Sequence, residues 1–259
     1  MRPTARSPRK AQQQFGRQAA FYARSVAHSA GDSLRLLGEF ASLTRYRVAV
    51  DLGTGAGFTA FAVAPLATHV VAMDVAPSML DEARRLAGER GLANVGFALA
   101  EAESIPFGTG SVDGLTCRSA AHHFHDVPAA VAEVCRVLKT GGAFLLADTV
   151  APEEDALNHW MNEVERRRDP SHQRDLKVSA WLGLLARTGL QVTHATMTTV
   201  ELEFNDWVQR SGTPERAVEG LRRDFLTAPD DVKAAFGVQP RGESMDFRWP
   251  MLVARAVKA

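Results

Sequence analysis

One short segment constrains the fold of this 259-residue chain more than any other. Residues 50–57, with the sequence Val-Asp-Leu-Gly-Thr-Gly-Ala-Gly, join an apolar run at 48–50 to an apolar, helix-like run at 58–64. Alternate glycines let the backbone adopt positive φ and let a ligand lie against bare backbone, while the first N–H groups of the following helix point into the same space. The segment therefore predicts a strand, a ligand-binding turn and a helix.

Three side chains near this turn indicate the class of ligand. A dinucleotide-binding G-x-G-x-x-G turn would have its third glycine where this chain has Phe58, and would not place Asp51 beside a pyrophosphate. A zwitterionic amino-acid group fits better, because its carboxylate can use the helix N-terminus and its ammonium is attracted toward Asp51. Asp74 ends the next apolar run, where a βαβ unit presents an acid to a ribose diol. Alternatively, Asp74 caps a helix that begins near Ser78.

Strand-like and helix-like patterns alternate along the chain. The predicted strands are 47–51, 69–74, 94–99, 112–117 and 143–149, and the predicted helices between them are 58–66, 78–90 and 126–138. Strands separated by helices imply an α/β fold with a doubly wound, mostly parallel sheet, and ligands bind such sheets at the carboxyl ends of their strands.

Five motifs in the right order give the chain a resemblance to a known family. They lie at 50–57, 73–74, 100–107, 110–113 and 136–142. Together they resemble the successive motifs of class I S-adenosylmethionine (SAM) methyltransferases, with most similarity to the type 11 branch that includes the ubiquinone and menaquinone biosynthesis methyltransferases. The resemblance covers about residues 45–150, and it implies a Rossmann-like methyltransferase fold. The family pattern also implies a sheet of seven strands, completed here by the runs 190–204 and 246–257.

The resemblance implies a role for individual residues in binding SAM. The glycine turn is expected to contact the methionine part, Asp51 to orient that turn, and Asp74 to accept the ribose hydroxyls. Glu101 is expected to hold the adenine, although the branch usually has Asp there and an ordinary surface acid is the alternative. The full set of expected cofactor residues is Asp51, Gly53, Thr54, Gly55, Asp74, Val75, Met79, Glu101, Ala102 and Arg118.

The segment after the fourth predicted strand carries the candidate catalytic groups. Residues 117–126, Cys-Arg-Ser-Ala-Ala-His-His-Phe-His-Asp, leave the sheet at its carboxyl end, beside the expected position of the methyl group. His123 is the candidate general base, because a neutral imidazole with an ordinary pKa of about 6.5 can take a proton from an acceptor hydroxyl or amine. His122 and His123 are also candidates for substrate contact; alternatively, both only shape the site. Histidines this close together in a short loop do not converge easily on a metal ion, so no metal is expected.

The remaining residues are assigned to a tail, a cap and a lid. Residues 1–12 are basic and predicted to be disordered. Residues 13–150 are expected to form the SAM-binding domain with an N-terminal helical cap, in which Phe15 and Tyr22 are candidates for contacting the substrate. Residues 151–259 are expected to supply lid helices and the last two strands of the same sheet.

The lid is predicted at two charge-rich segments, 151–186 and 205–240, which carry Trp160, Trp181 and Trp207. Methyl transfer requires an acceptor in line with the S–CH₃ bond and a site that excludes water, and such insertions can provide both. Tryptophans at helical spacing are also typical of an ordinary core.

Composition limits the location and the partners. No stretch of about twenty apolar residues occurs, so no membrane span is expected. Cys117 and Cys135 form neither a metal cluster nor a disulfide framework, which favours the cytoplasm. The signature Asn/Asp-Pro-Pro-Tyr/Phe of methyltransferases that act on nucleic-acid bases is absent after the fourth strand, so no nucleic-acid substrate is expected. The oligomeric state is not predicted.

These observations favour a SAM-dependent methyltransferase. It is expected to transfer a methyl group to O, N or C of a small organic molecule and to release S-adenosylhomocysteine. A non-catalytic SAM-binding sensor or assembly protein is the alternative from another class. A nicotinamide-dependent oxidoreductase is disfavoured by Asp51 and Phe58.

Overall fold

The computed structural model describes Gln12, Gln14 and residues 31–259. Most of the expected basic tail and the candidate residues Phe15 and Tyr22 lie outside the described residues. Within the described part of the chain, no helix is long and apolar enough to cross a membrane.

The described strands and helices follow the predicted alternation closely. The strands are β1 (Tyr46–Leu52), β2 (Ala67–Asp74), β3 (Val95–Leu99), β4 (Val112–Arg118), β5 (Leu138–Thr149), β6 (Leu190–Glu203), β7 (Gln239–Arg241) and β8 (Ser244–Lys258). The α-helices are α1 (Asp32–Ala41), α2 (Phe58–Val63), α3 (Pro77–Glu89), α4 (Val127–Val137), α5 (Asp155–Arg168), α6 (Val178–Arg187), α7 (Phe204–Arg210), α8 (Glu215–Leu226) and α9 (Asp230–Phe236), and 3₁₀ turns cover Ala64–Leu66 and Ala121–His123.

The strands form one sheet in the order β3-β2-β1-β4-β5-β8-β6. The pairs from β3 to β5 are parallel, and β8 is antiparallel to both β5 and β6. The predicted doubly wound, mostly parallel α/β sheet of seven strands is confirmed on this path. The sequence did not predict β7, a short eighth strand that pairs with β8. Because strand order reverses between β1 and β4, their carboxyl ends flank the crevice in which such folds bind ligands.

Both faces of the sheet are covered, which explains why its central strands are almost continuously apolar. Val50 and Leu52 of β1 pack into a cluster that includes residues of α4 and α6. Ala49 points to the opposite face and packs with residues of α1 and α2. Asp51 alternates with Val50 and Leu52, so it points toward α2.

A separate aromatic core lies beyond the carboxyl end of β5. Thr149 at the end of β5 pairs with Met251, so the first residues of the antiparallel β8 project past the edge at which β5 ends. These residues, the end of β6 and the helices α5, α7, α8 and α9 bury a cluster whose largest members are Phe204, Trp207, Phe225, Phe236, Phe247 and Trp249. The indole N–H groups of Trp207 and Trp249 both donate to Glu165 Oε1, at 3.2 and 2.5 Å. We call this core the aromatic cluster.

The structure corrects one part of the expected lid. Trp181 of α6 is 2% exposed and packs into the sheet core with Leu184 and Leu185, not into the aromatic cluster. The segment that follows α5 therefore returns to the sheet at α6, and Trp181 does not cover the carboxyl edge. Trp160 and Trp207 do belong to the aromatic cluster.

Gly114 of β4 tests the packing of the sheet. A Cβ on Gly114 would collide with the ring of the buried Tyr46, whereas a Cβ on Gly96 of β3 would meet only Val70 O, at 3.9 Å. We expect Gly114→Ala to lower the free energy of unfolding by about 1–3 kcal/mol through overpacking. Gly96→Ala should leave it unchanged or raise it slightly, because alanine restricts the unfolded chain. Urea unfolding of both variants checks this, and equal effects would contradict the described packing.

Candidate active site

The turn after β1 is built from glycines in left-handed conformations. Gly53, Gly55 and Gly57 have φ of 61°, 53° and 92°. A Cβ on Gly53 would lie 2.5 Å from the Cβ of Ala120, so glycine allows the turn to approach the segment after β4. A Cβ on Gly55 would meet no atom within 4 Å, because Gly55 borders a cavity.

Asp51 fixes the conformation of this turn through hydrogen bonds. One of its carboxylate oxygens accepts from Thr54 Oγ1 at 2.6 Å and from Ala60 N at 3.1 Å, and the other accepts from Thr116 Oγ1 at 2.6 Å. Burial raises its pKa to about 6, although the two threonine hydroxyls oppose the shift. Asp51 does not line the cavity. The geometry therefore supports the expected role in orienting the turn and does not support direct attraction of a ligand ammonium.

Asp74 ends β2 at the rim of the same cavity. Its Oδ2 accepts from Gly55 N at 2.9 Å and its Oδ1 accepts from Ala76 N at 2.9 Å. Burial raises its pKa, an effect that these N–H donors partly offset. Asp74 therefore fixes the glycine turn relative to α3, and each oxygen keeps a lone pair for a further donor. The expected alternative, a side-chain cap on α3, is not what the structure contains, because the N-cap residue is Ala76.

A first cavity of about 1010 Å³ opens above the glycine turn. Nine of the ten residues expected to contact SAM line it, and Asp51 is the exception. The predicted general base His123 lines it as well. The lining residues in the described part of the chain are Gly53, Thr54, Gly55, Ala56, Phe58, Thr59, Met73, Asp74, Val75, Met79, Ala100, Glu101, Ala102, Glu103, Arg118, Ser119, Ala120, His123, Phe124 and His125. We call it the cofactor cavity.

A second cavity of about 720 Å³ lies beside the first. It shares Arg118, Ser119 and His123 with the cofactor cavity, so the segment after β4 forms the boundary between the two. We call it the acceptor cavity, and the three shared residues the window. Its other lining residues are Ser33, His122, Thr149, Glu165, Arg168, His172, Asp175, Val200, Leu202, Trp207, Arg210, Trp249 and Met251.

The window is held in an unusual backbone conformation. Ser119 has φ of 51°, and it is the non-glycine residue with positive φ among residues 31–259. Such strain persists only where neighbouring contacts impose it, and it is concentrated at functional sites. The Nε of Arg118 donates to Thr59 Oγ1 at 3.0 Å. Burial lowers the pKa of Arg118 to about 10, with Asp51 opposing the shift, so the side chain stays cationic at neutral pH.

The two neighbouring histidines have opposite protonation states. His122 Nδ1 lies 2.6 Å from Asp148 Oδ1, and its backbone N–H donates to Asp148 Oδ2 at 2.9 Å. Burial alone would lower the pKa of His122, but Asp148 raises it to about 9. Burial and the adjacent cationic His122 lower the pKa of His123 to about 4. At neutral pH the structure therefore places a neutral imidazole at the window beside an imidazolium, with ring centroids 4.2 Å apart.

Sequence reasoning missed the loop between α5 and α6 that supports these histidines. Ser171 Oγ lies 3.1 Å from His123 Nδ1. The ring of His172 packs near the rings of His122 and His123, with centroids 5.6 and 6.3 Å away. Asp175 accepts from Thr149 Oγ1 at 2.5 Å, and burial raises its pKa to about 7. No local pattern marks these residues, because the chain brings them to the window from about fifty positions away. Among the described residues, no group of three or more His, Cys, Asp and Glu side chains is arranged to hold a metal ion.

Comparison with known proteins identifies the family. A family model described as a methyltransferase domain matches residues 50–146. The uncharacterized methyltransferase YcgJ of Bacillus subtilis (strain 168) is 33% identical over 246 residues, which are 94% of this chain and 97% of YcgJ. The crystal structure of YcgJ matches with a TM-score of 0.83, covering 87% of this chain and 97% of that chain at 34% identity. The chain belongs to the SAM-dependent methyltransferase family.

Two more relatives define how far the similarity extends. The uncharacterized protein YafE of Escherichia coli (strain K12) is 36% identical over 190 residues, covering 73% of this chain and 92% of YafE. The demethylmenaquinone methyltransferase of Thermus thermophilus is 38% identical over 109 residues, which are 41% of this chain and 49% of that enzyme. The resemblance inferred from the motifs is thus confirmed, while the similarity to the quinone-modifying enzyme extends over less than half of either chain.

The His122–Asp148 pair of this methyltransferase predicts a pH dependence of stability. The folded-state pKa of His122 is raised above its unfolded value, so the stabilisation is complete below about pH 6.5 and is lost as the pH rises through about 9. We expect the free energy of unfolding of the parent to fall by about 2–3 kcal/mol more than that of His122→Asn between about pH 6.5 and pH 9.5. Urea unfolding across this range measures the difference. Parallel curves for the two proteins would show that the pair does not carry the shifted proton.

Proposed function

We propose that this protein transfers a methyl group from SAM in the cofactor cavity to a small organic acceptor in the acceptor cavity, and releases S-adenosylhomocysteine. The observation that carries the proposal is the window, at which one short segment borders both cavities. Two adjoining cavities with a common boundary are what a direct transfer between two bound molecules requires.

The residues of the cofactor cavity fit SAM. The open space over Gly55 suits the methionine part of SAM, and Arg118 supplies a cation for its carboxylate. Asp74 retains lone pairs for the ribose hydroxyls, and Glu101 with Ala102 suits the adenine. When bound, SAM supplies an electrophilic methyl group, which the acceptor atom takes while the sulfur keeps the electrons of the S–CH₃ bond.

The walls of the acceptor cavity indicate the kind of acceptor. One wall is apolar and aromatic and comes from β6, β8 and α7, with Val200, Leu202, Trp207, Trp249 and Met251. The rest of the lining is polar or charged and includes His122, His123, Thr149, Glu165, Arg168, His172, Asp175 and Arg210. A small molecule with an apolar body and a hydroxyl or amine fits these walls. Helices α5 and α7–α9 act as the lid that excludes water from this side.

His123 is the proposed general base at the window. Its pKa of about 4 is lower than the ordinary histidine value expected from the sequence, because burial and cationic His122 disfavour its protonation. A weak base suffices for a hydroxyl acceptor, since its oxygen becomes a strongly acidic oxonium once it bonds to the methyl carbon. His123 is then neutral and ready to accept a proton at any ordinary pH.

Two other functions fit the site less well. A SAM-binding sensor or assembly protein would need no second cavity, and the position of the acceptor cavity next to the window favours catalysis. A nicotinamide-dependent enzyme is disfavoured by the side chain of Phe58 in the cofactor cavity, where a third glycine would stand. A small-molecule acceptor in place of nucleic acid, and a cytoplasmic location, stay predictions.

Binding and turnover together test the proposed function. Calorimetric titration of the full chain with SAM, S-adenosylhomocysteine and NAD should give binding of the first two and none of the third. A panel of small hydroxylated and aminated acceptors is then screened for release of S-adenosylhomocysteine. Binding of SAM without product release from any acceptor would favour the sensor, and binding of NAD alone would overturn the assignment.

A matched pair of glycine variants separates loss of the site from loss of stability. Gly55 and Gly110 both have left-handed φ and open space for a Cβ, but Gly110 precedes β4 at the opposite end of the sheet. Valine is strained at both positions, so both variants should unfold more easily. Gly55→Val should also lower SAM affinity at least tenfold, or about 1.4 kcal/mol, because the side chain enters the cofactor cavity. Equal SAM affinity in the two variants would remove the glycine turn from the site.

His123→Ala should lower turnover about 10²- to 10⁴-fold while the dissociation constant for SAM stays nearly unchanged. His159 is exposed on α5, and His159→Ala is the matched control. In the parent, kcat should stay level from neutral pH down to about pH 5, because His123 titrates at about 4. A fully active His123→Ala enzyme would leave proximity and orientation as the source of the rate.

A further inference from the structure

We propose that Asp169 and Ser171 are positioning residues for His123. They hold its imidazole with the proton on Nδ1 and the lone pair on Nε2, and they stabilise the positive charge that the ring gains when it takes the proton of the acceptor. This inference rests on the proposed function and adds two residues that no sequence motif includes.

The hydrogen bonds that join Asp169, Ser171 and His123 determine which group donates at each contact. The hydroxyl of Ser171 donates to Asp169 Oδ1 at 2.6 Å, and the backbone N–H of Ser171 donates to the same oxygen at 2.8 Å. His123 Nδ1 lies 3.1 Å from Ser171 Oγ. Ser171 has only one hydroxyl hydrogen, which goes to Asp169, so its oxygen accepts the hydrogen of Nδ1. Neutral His123 therefore carries its lone pair on Nε2, the nitrogen that can act as a base.

Asp169 is arranged as a buried counter-charge. The residue is 1% exposed, and its Oδ2 has no hydrogen-bond partner within the described part of the chain. Burial alone would raise its pKa, but the charge of His123 when that ring is protonated, the cationic Arg168 and the hydrogen bonds from Ser171 lower that pKa below the ordinary value. Asp169 is therefore ionised at neutral pH, although an incompletely bonded buried carboxylate destabilises a fold.

The positive charge that His123 gains during the proposed reaction explains why the carboxylate of Asp169 lies near it. As the acceptor atom bonds to the methyl carbon, its bond to hydrogen breaks, the electron pair of that bond stays on the acceptor atom, and the proton goes to His123 Nε2. The positive charge of the sulfonium is thereby transferred to the imidazole. The Nδ1–H of the imidazolium donates to Ser171, whose hydroxyl already points at the Asp169 anion, so the stabilising dipoles are in place before the charge forms.

The neighbouring His122 controls the resting state of the same ring. Its positive charge, held by Asp148, opposes protonation of His123 between turnovers. Asp169 acts in the opposite direction, and its effect grows only as the proton arrives. His123 is therefore neutral before each transfer and releases its proton to water afterwards.

The tautomer of His123 tests the proposal without SAM or an acceptor. The full chain is labelled with ¹⁵N-histidine, and the ring of His123 among the eight histidines is assigned by its loss in His123→Asn. At neutral pH the parent should give the ¹⁵N pattern of an Nδ1–H imidazole. An Nε2–H pattern in the parent would overturn the proposal before any variant in the loop is made.

Three variants of the same loop and one control variant separate positioning from simple structural support. Ser171→Ala and Asp169→Asn should both convert the His123 signal to a mixture of tautomers. Ser171→Thr keeps the hydroxyl and should restore the Nδ1–H pattern. Arg174 is exposed on this loop, so Arg174→Ala is the matched control and should leave the pattern unchanged. Circular dichroism and melting temperature report which variants are folded, and an unchanged tautomer in folded Ser171→Ala would overturn the proposal.

Turnover supplies the second measurement, with an acceptor from the product-release screen. Ser171→Ala and Asp169→Asn should lower kcat about ten- to a hundredfold with an unchanged dissociation constant for SAM. Unchanged kcat in a variant whose tautomer has shifted would also overturn the proposal. Failure of the parent to bind SAM would be a different result, because it removes the proposed function and leaves the tautomer as measured.

Discussion

Both carboxylate oxygens of Asp51 accept hydrogen bonds inside the protein, and these bonds connect three of the elements that form the site. Thr54 belongs to the glycine turn, Thr116 to β4 and Ala60 to α2, so one buried side chain sets the distances between the turn, the helix that follows it and the strand that leads to the window. Burial of a carboxylate is unfavourable unless its hydrogen bonds are satisfied, and here three donors from three elements satisfy them. The cofactor cavity therefore has its shape before any ligand enters, which reduces the conformational entropy lost on binding.

Two consecutive histidines at the window have opposite shifts in pKa. His122 and His123 are consecutive, yet Asp148 holds one as a cation while burial and that cation keep the other neutral. Two identical side chains thus obtain different roles from different partners. Asp148 lies at the end of β5 and Asp169 follows α5, so the sheet and the lid each supply one of the two anions.

The sequence predicted those parts of the site whose determinants are local. The glycine turn, Asp51 and Asp74 lie at strand ends, and strand ends can be located from apolar periodicity. The helices α5, α7, α8 and α9 were expected as helical segments, but their packing was not, since the aromatic cluster depends on contacts between residues far apart in sequence. Trp181 illustrates this limit, because its helical spacing is the same whether α6 packs on the sheet or over the carboxyl edge. Ser171 and Asp169 could not be found at all from the sequence, because no periodicity relates them to His123. The pKa expected for His123 from the ordinary histidine value was also wrong, since only the structure reveals that His123 is buried beside cationic His122.

The order of the lining residues along the chain separates the two binding tasks. Among residues 31–259, those that line the cofactor cavity lie between Gly53 and His125, whereas those that line the acceptor cavity, apart from Ser33 and the segment at the window, lie between 149 and 251. Most of strand β5 lies between these two groups of lining residues in the sequence, so the chain passes from one cavity to the other at β5. Substitutions in the later half can therefore reshape the acceptor cavity while the strand ends that line the cofactor cavity keep their geometry. The architecture is modular in this sense, because β6, β8 and the helices between them can be remodelled without changing the glycine turn or Asp74.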